Sequence, residues 1–112
     1  TGSGDHAGAT PRVLRKDAVS ATSEWVVAMN EHWRRWEEDE GKDLVFTCGI
    51  LHTLADEHSY SRVPEHVHVG VEFRSQSRET LHEWTALMVA ELDRVGAKHG
   101  VSFTHSEVAF SA

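Results

Sequence analysis

From Leu14 to Trp36 the apolar residues Leu14, Ala18, Ala21, Trp25, Met29, Trp33 and Trp36 return every three or four positions. That spacing lines one face of an α-helix. Thr10 is a helix-capping residue type and Pro11 suits a first helical position, so the pattern predicts a long amphipathic helix beginning there. Glu37, Glu38, Asp39 and Glu40 sit badly at the negative end of a helix dipole, while Gly41 ends a helix well; residues 37–43 are expected to be a loop. Leu44 to Leu54 is rich in β-formers with Gly49 inside it, which predicts a strand with a bulge or a close backbone approach. Ala55 to Glu65 is polar and carries Pro64. His66 to Arg74 then alternates strictly, with Val67, Val69, Val71 and Phe73 on one face and His66, His68, Gly70, Glu72 and Arg74 on the other, the mark of a half-buried strand with one open face. Ser77 is placed to cap a second helix whose apolar positions Leu81, Trp84, Leu87, Met88, Leu92 and Val95 recur helically, ended by Gly96 or Gly100. Val101 to Phe110 reads as a last strand.

Helix, strand, strand, helix, strand is the split βαβ order without its first strand, which would have to lie just before or within residues 1–6. The expected fold is α+β and ferredoxin-like: an antiparallel sheet with two helices on one face and the first strand largely truncated. The chain's 112 residues suit one domain, and 39% hydrophobic with 26% charged residues is globular composition rather than disorder or coiled coil. A formal charge of -7 repels phosphate backbones and anionic lipid surfaces, so neither nucleic acid nor membrane is an expected partner. Cys48 is the one cysteine and cannot form a disulfide within the chain; with no apolar run of signal or membrane type, a cytoplasmic location is expected. The opening Thr1-Gly-Ser-Gly, without Met, suggests a piece of a larger protein.

Two groups of residues offer chemistry. His66 and His68 project from the same face of a strand and are of metal-ligating type, but no third ligand is set by spacing, and the plainer reading is polar decoration of a solvated sheet face. His6 lies in the small-residue run Gly4 to Thr10, just ahead of a predicted helix start, where a lone histidine is more often a loop residue than a functional one.

The string Gly-Asp-His-Ala-Gly-Ala-Thr-Pro at residues 4–11, followed by Leu14-Arg15-Lys16-Asp17-Ala18, resembles the opening of the lid, or dimerisation, domain of the zinc-dependent amidohydrolases of metallopeptidase family twenty. It is most similar to the N-carbamoyl-L-amino-acid hydrolase and allantoate amidohydrolase branch. Thr47-Cys48-Gly49, Val63-Pro64 and Glu72-Phe73-Arg74-Ser75 resemble, in the same order, that family's Thr-Val-Gly strand, Ile/Val-Pro-Gly turn and Asp-x-Arg-Ser strand end. The resemblance implies that the whole chain, residues 1–112, is a lid domain inserted in a separate catalytic domain that holds a pair of zinc or other divalent ions; no metal-ligand motif of that kind is present here. It implies further that His6 reaches across a homodimer interface to stabilise an oxyanion in the partner's site, and that Arg74 binds a substrate carboxylate. A positioned donor aimed at developing charge lowers a barrier, and a guanidinium fork matches a carboxylate.

The sequence also departs from the pattern. Ser61 stands where the carbamoylase branch has a carboxylate-contacting Asn, Glu65 stands where Gly follows Pro, and Arg12 stands where Met follows Thr-Pro, while His58-Ser59-Tyr60 has no counterpart. Ser61 is therefore the candidate second substrate contact, and the substrate could be N-carbamoyl, ureido or N-acyl. Three tryptophans on one helix exceed what a small two-layer domain needs, so Trp33 and Trp36 are the expected homodimer contacts, beside the edge strand. Two alternatives stand beside this reading: the lid of an aminoacylase-like or dipeptidase-like enzyme, and a stand-alone ferredoxin-like module that binds a ligand or metal.

Overall fold

A computed structural model describes residues 11–106. A 3-10 turn, Arg12–Leu14, leads into helix α1 (Ala18–Glu38), strand β1 (Val45–Thr53), a second 3-10 turn at Ala55–Glu57, strand β2 (Val67–Arg74) and helix α2 (Arg78–His99). The long first helix begins later than Thr10 and Pro11 suggested, because Pro11 is extended (ψ 149°) and Asp17 is the residue that caps it. The Asp17 carboxylate accepts the backbone N–H groups of Val19 and Ser20 at 2.8 and 3.0 Å, satisfying two donors that the first turn leaves free. At the other end the helix runs on through Glu37 and Glu38 before the chain turns, two residues past the predicted boundary.

α2 starts as its sequence suggested, with the Ser77 hydroxyl accepting the Thr80 N–H. Of its two candidate stops, Gly100 is the one used: it adopts a left-handed φ of 68° and donates to the Gly96 carbonyl. Gly96 is needed for a different reason. A Cβ there would stand 2.8 Å from the Val101 carbonyl oxygen, where the chain folds back over the end of the helix.

β1 and β2 form an antiparallel hairpin that pairs Val45 with Arg74, Phe46 with Phe73 and Thr53 with Val67. The register shifts between Cys48 and Ile50, so the bulge expected at Gly49 is present. The shift exchanges the faces of the residues that follow it. Phe46 and Cys48 share the inner face before it, whereas Ile50 and His52 lie on the outer face after it, opposite Gly70 and His68.

Both helices cover the inner face. Phe46 meets the ring of Trp25 from α1 and that of Trp84 from α2 edge-on, at centroid distances of 6.3 and 5.3 Å. Trp36 meets Trp84 in the same manner at 5.1 Å. Edge-to-face pairs add about 0.5–1.5 kcal/mol each to the burial of the rings themselves. Ala21, Met29, Leu44, Met88, Val95 and Val101 complete the cluster, with Val69, Val71 and Phe73 of β2 packed against it. The Trp84 indole N–H, fully buried, has no hydrogen-bond partner among the described residues.

The arrangement is the α+β, ferredoxin-like order expected, of which the central hairpin and both helices are described. One expected element differs: residues 101–106 form no strand. Val101 is instead pinned to the end of α2 by its N–H bond to the Gly96 carbonyl, and its buried side chain joins the core. Residues 107–110 of that predicted strand, the first-strand position at residues 1–6, and Thr10 lie outside the described residues. β2 has one partner strand among the described residues, so its other edge carries no ladder there.

Candidate functional site on the open sheet face

The face of the hairpin away from the helices carries the candidate chemistry. Its members are Val45, Thr47, Ile50 and His52 from β1 opposite Arg74, Glu72, Gly70 and His68 from β2. Strand alternation placed Arg74 on this face, and its side chain is 77% exposed at the strand end, with its guanidinium Nε on the Glu72 carboxylate. Two strand positions along, Ile50 fills the space above Gly70, where a Cβ would meet its side chain at 3.2 Å. Beyond it the His52 and His68 rings lie 5.1 Å apart, tilted by 36°.

Past the His52 and His68 pair, the connection between the strands, residues 54–66, forms the second part of the site. Val63 is its anchor, buried to 2% exposure. The Pro64 carbonyl accepts the N–H of Ala18, which ties the connection to the start of α1. Ser61 is exposed in a turn, its N–H directed to the Ser59 hydroxyl at 3.3 Å. Thr53, Glu57, His58, Tyr60 and Arg62 line an open hollow of about 620 Å³ at the connection, and a second of about 370 Å³, bordering α1, is bounded by Val19, Leu51, His52, His58 and Val67.

Arg74 and Ser61 sit toward opposite ends of the hairpin. The strand from Val67 to Arg74 alone spans about 23 Å at its ordinary rise per residue, so one molecule of this chain does not bring the two to one small carboxylate. His6 lies outside the described residues. Trp36 is buried inside the subunit at 7% exposure, with the Lys42 ammonium 4.1 Å from its ring centroid. Trp33 is half-buried, and its indole N–H donates to the Leu44 carbonyl at 2.8 Å. The apolar surface that α1 and β1 leave to solvent is made of other residues, among them Val27 at 70% exposure and Val45, Ile50 and Leu51 near one half.

The histidine pair of the sequence is divided. β2 begins at Val67, which frees His66 from the strand, and its Nδ1 bonds to a Glu57 carboxylate oxygen at 2.6 Å. Glu57 also accepts the backbone N–H groups of Glu65 and His66, each at 3.3 Å. The His66 hydrogen bond, with the imidazole's charge and those two N–H groups behind it, holds the Glu57 carboxyl below the usual carboxylate range against the opposing effect of desolvation. Glu57, Glu65 and His66 together form a three-residue group of metal-ligating type. Sequence reading missed it because Glu57 lies eight and nine positions from its partners, a separation with no regular element behind it. Half-buried in a surface connection and limited to three ligands, the group does not fit a hydrolytic metal pair, whose two ions lie about 4 Å apart and need more ligands than this.

No protein-family model and no curated protein matches the chain. Solved structures do. An amidohydrolase/peptidase from Burkholderia cenocepacia matches over 89% of this chain at 31% identity with a TM-score of 0.78. AtUAH in complex with (S)-hydroxyglycine matches over 93% at 25% identity with a TM-score of 0.80. A hydantoinase/carbamoylase family amidase from Burkholderia multivorans matches over 89% at 28% identity with a TM-score of 0.75. In each case the chain spans 23% of the length of the structure it matches. The fold is therefore that of a quarter-length region of amidohydrolases. Among the described residues no helix is long and apolar enough to cross a membrane.

Proposed function

We propose that this chain is the dimerisation and substrate-capping domain of a metal-dependent amidohydrolase that cleaves C–N bonds in N-carbamoyl, ureido or N-acyl substrates bearing a carboxylate. The observation that carries this reading is the match of nearly the whole chain to just under a quarter of an amidohydrolase chain at 31% identity. Such a partial match suits one domain of a larger enzyme. The catalytic metal pair, zinc or another divalent ion, is assigned to the remainder of the parent.

Within this reading Arg74 is the carboxylate anchor. Its planar fork suits bidentate binding, it projects from the open sheet face, and its present partner Glu72 is an exposed side chain that a substrate carboxylate can replace. AtUAH, matched above, is described in complex with (S)-hydroxyglycine and with glyoxylate, and both ligands carry a carboxylate. His6 supplies a hydrogen bond to the oxyanion of the partner's site, and Ser61 contacts substrate from the connection. Because Ser61 and Arg74 of one subunit lie far apart, they serve different substrate groups or different subunits' sites. Homodimerisation uses α1 and the edge strand β1, with Trp33 and Trp36 backing that surface from within. The parent is placed in the cytoplasm. A second reading, the lid of an aminoacylase-like or dipeptidase-like enzyme, is favoured by Ser61 in place of the carbamoylase Asn.

Turnover by the full-length parent, with N-carbamoyl and N-acyl amino acids offered side by side, is the test. His6→Ala is expected to lower kcat by about 10²–10³, the effect of losing one oxyanion donor, and Arg74→Ala to raise KM most for substrates with a free carboxylate. Unchanged kinetics in both variants would overturn the assignment. Sedimentation of the chain carrying Val27→Glu with Ile50→Lys should show a dimer weakened relative to wild type, and a wild-type chain that is monomeric at every concentration would remove the dimerisation role.

A further inference from the structure

We propose that Glu57, Glu65 and His66 bind a single divalent cation of the zinc class, which clips together the two ends of the connection between β1 and β2. The site does not depend on the amidohydrolase reading. One ligand atom from each residue lies within 4.8 Å of the other two, and all three residues are half-buried. Ligand atoms about 2.1 Å from a tetrahedral zinc ion stand about 3.4 Å apart, so closing the group is an adjustment within reach of two flexible glutamate side chains. One imidazole and two carboxylates are a donor set that first-row divalent ions accept, with a position left for water.

Two features of the geometry prepare the group for a cation. Glu57 is held from outside by the N–H groups of Glu65 and His66, as ligating carboxylates in metal sites are held by outer-shell hydrogen bonds. The 2.6 Å contact between Glu57 and His66 Nδ1 already joins two of the three ligands, and a cation takes the place of the proton between them. The competing charge is Arg62, whose guanidinium lies 3.6 Å from Glu65, with the two side chains 40% and 38% exposed. A pair so long and so solvated is weak and yields to a divalent ion.

The ligands come from the two ends of one loop. Glu57 belongs to the 3-10 turn that follows β1, while Glu65 and His66 lead into β2. A cation shared between them closes the intervening exposed arc, Ser59 to Arg62, and reduces the freedom of Ser61 within it.

The test is isothermal titration of the 112-residue chain with zinc after dialysis against a chelator, with the visible absorption of bound cobalt as a second readout. One equivalent is expected to bind. Glu65→Gln and His66→Gln should each weaken binding at least tenfold, while His52→Gln and His68→Gln leave it unchanged. Glu65→Gln is the decisive variant, because it removes a ligand and leaves the Glu57 to His66 bond in place, so loss of fold does not obscure the result; circular dichroism checks this. The proposal is overturned if zinc does not bind, if Glu65→Gln and His66→Gln bind as wild type does, or if binding follows His52 or His68 instead. None of these outcomes bears on the sedimentation and turnover tests above, which read different residues.

Discussion

Phe46 and Thr47 are adjacent in β1 and belong to different worlds. Phe46 is 3% exposed and touches tryptophans from both helices, while Thr47 lies on the open face across from Glu72. The same contrast runs along β2, where Val69, Val71 and Phe73 pack against the core and His68, Glu72 and Arg74 do not. One face of the hairpin is therefore chosen by packing. On the other, residue identity has little to do with holding the fold and is free to answer to a ligand, which is why the candidate site is built there and on the connection beyond it.

The contrast can be broken most directly by truncating the two neighbours. Phe46→Ala should destabilise the chain by about 3–5 kcal/mol through lost burial and the cavity left among the tryptophan rings, and Thr47→Ala by no more than about 0.5 kcal/mol. Urea titrations with matched slopes measure both, and equal losses would abolish the distinction between the faces. Gly96→Ala comes next. Its new methyl meets the Val101 carbonyl, a backbone atom that cannot swing aside, and overpacking of this kind costs about 1–3 kcal/mol; a lowered melting temperature with an unchanged helical circular dichroism signal is the expected result.

The smallest effect concerns the seam between the helices, where Glu91 accepts from Arg94 at 2.8 Å and lies 3.8 Å from His32. The Arg94 hydrogen bond, helped by the charges of Arg94 and His32, outweighs desolvation and holds the Glu91 carboxyl below its usual range. A carboxyl whose pKa is lower in the folded than in the unfolded chain contributes stability that is present above the unfolded value and is lost as pH falls through the folded one. Wild type should therefore melt higher than Glu91→Gln at neutral pH, and the gap should close on acidification through and below the ordinary glutamate range. Parallel melting curves down to the acid limit would show that the Glu91 carboxylate contributes nothing to stability.

Much of the fold was legible along the chain. The three- and four-residue steps of Trp25, Met29, Trp33 and Trp36 and the alternation of Val69, Val71 and Phe73 report burial directly, and each of these residues lies in or against the core. Arg74's exposure followed from the same alternation. Boundaries were less legible, because a cap is decided by which side chain reaches the free N–H groups; Asp17 does so, although Thr10 and Pro11 carried the plainer signal. The expected strand from Val101 failed over residues 101–106 for a related reason, since its β-forming composition says nothing about the reverse turn that Gly96 and Gly100 impose on the chain leaving α2. Trp33 and Trp36 looked like a surplus on the helix, yet inside the subunit one reaches the Leu44 carbonyl and the other the Trp84 ring.

The order of elements, the apolar face of each helix and the two faces of β2 were set by the sequence itself, because periodicity is a property of consecutive residues. Which distant groups meet was decided only in three dimensions. His66 shares an alternation with His68, but its partner is Glu57, brought to it by a loop that Val63 anchors and Pro64 ties to α1. Loop closure of this kind follows from where the connected elements pack, and no local spacing along the chain encodes it.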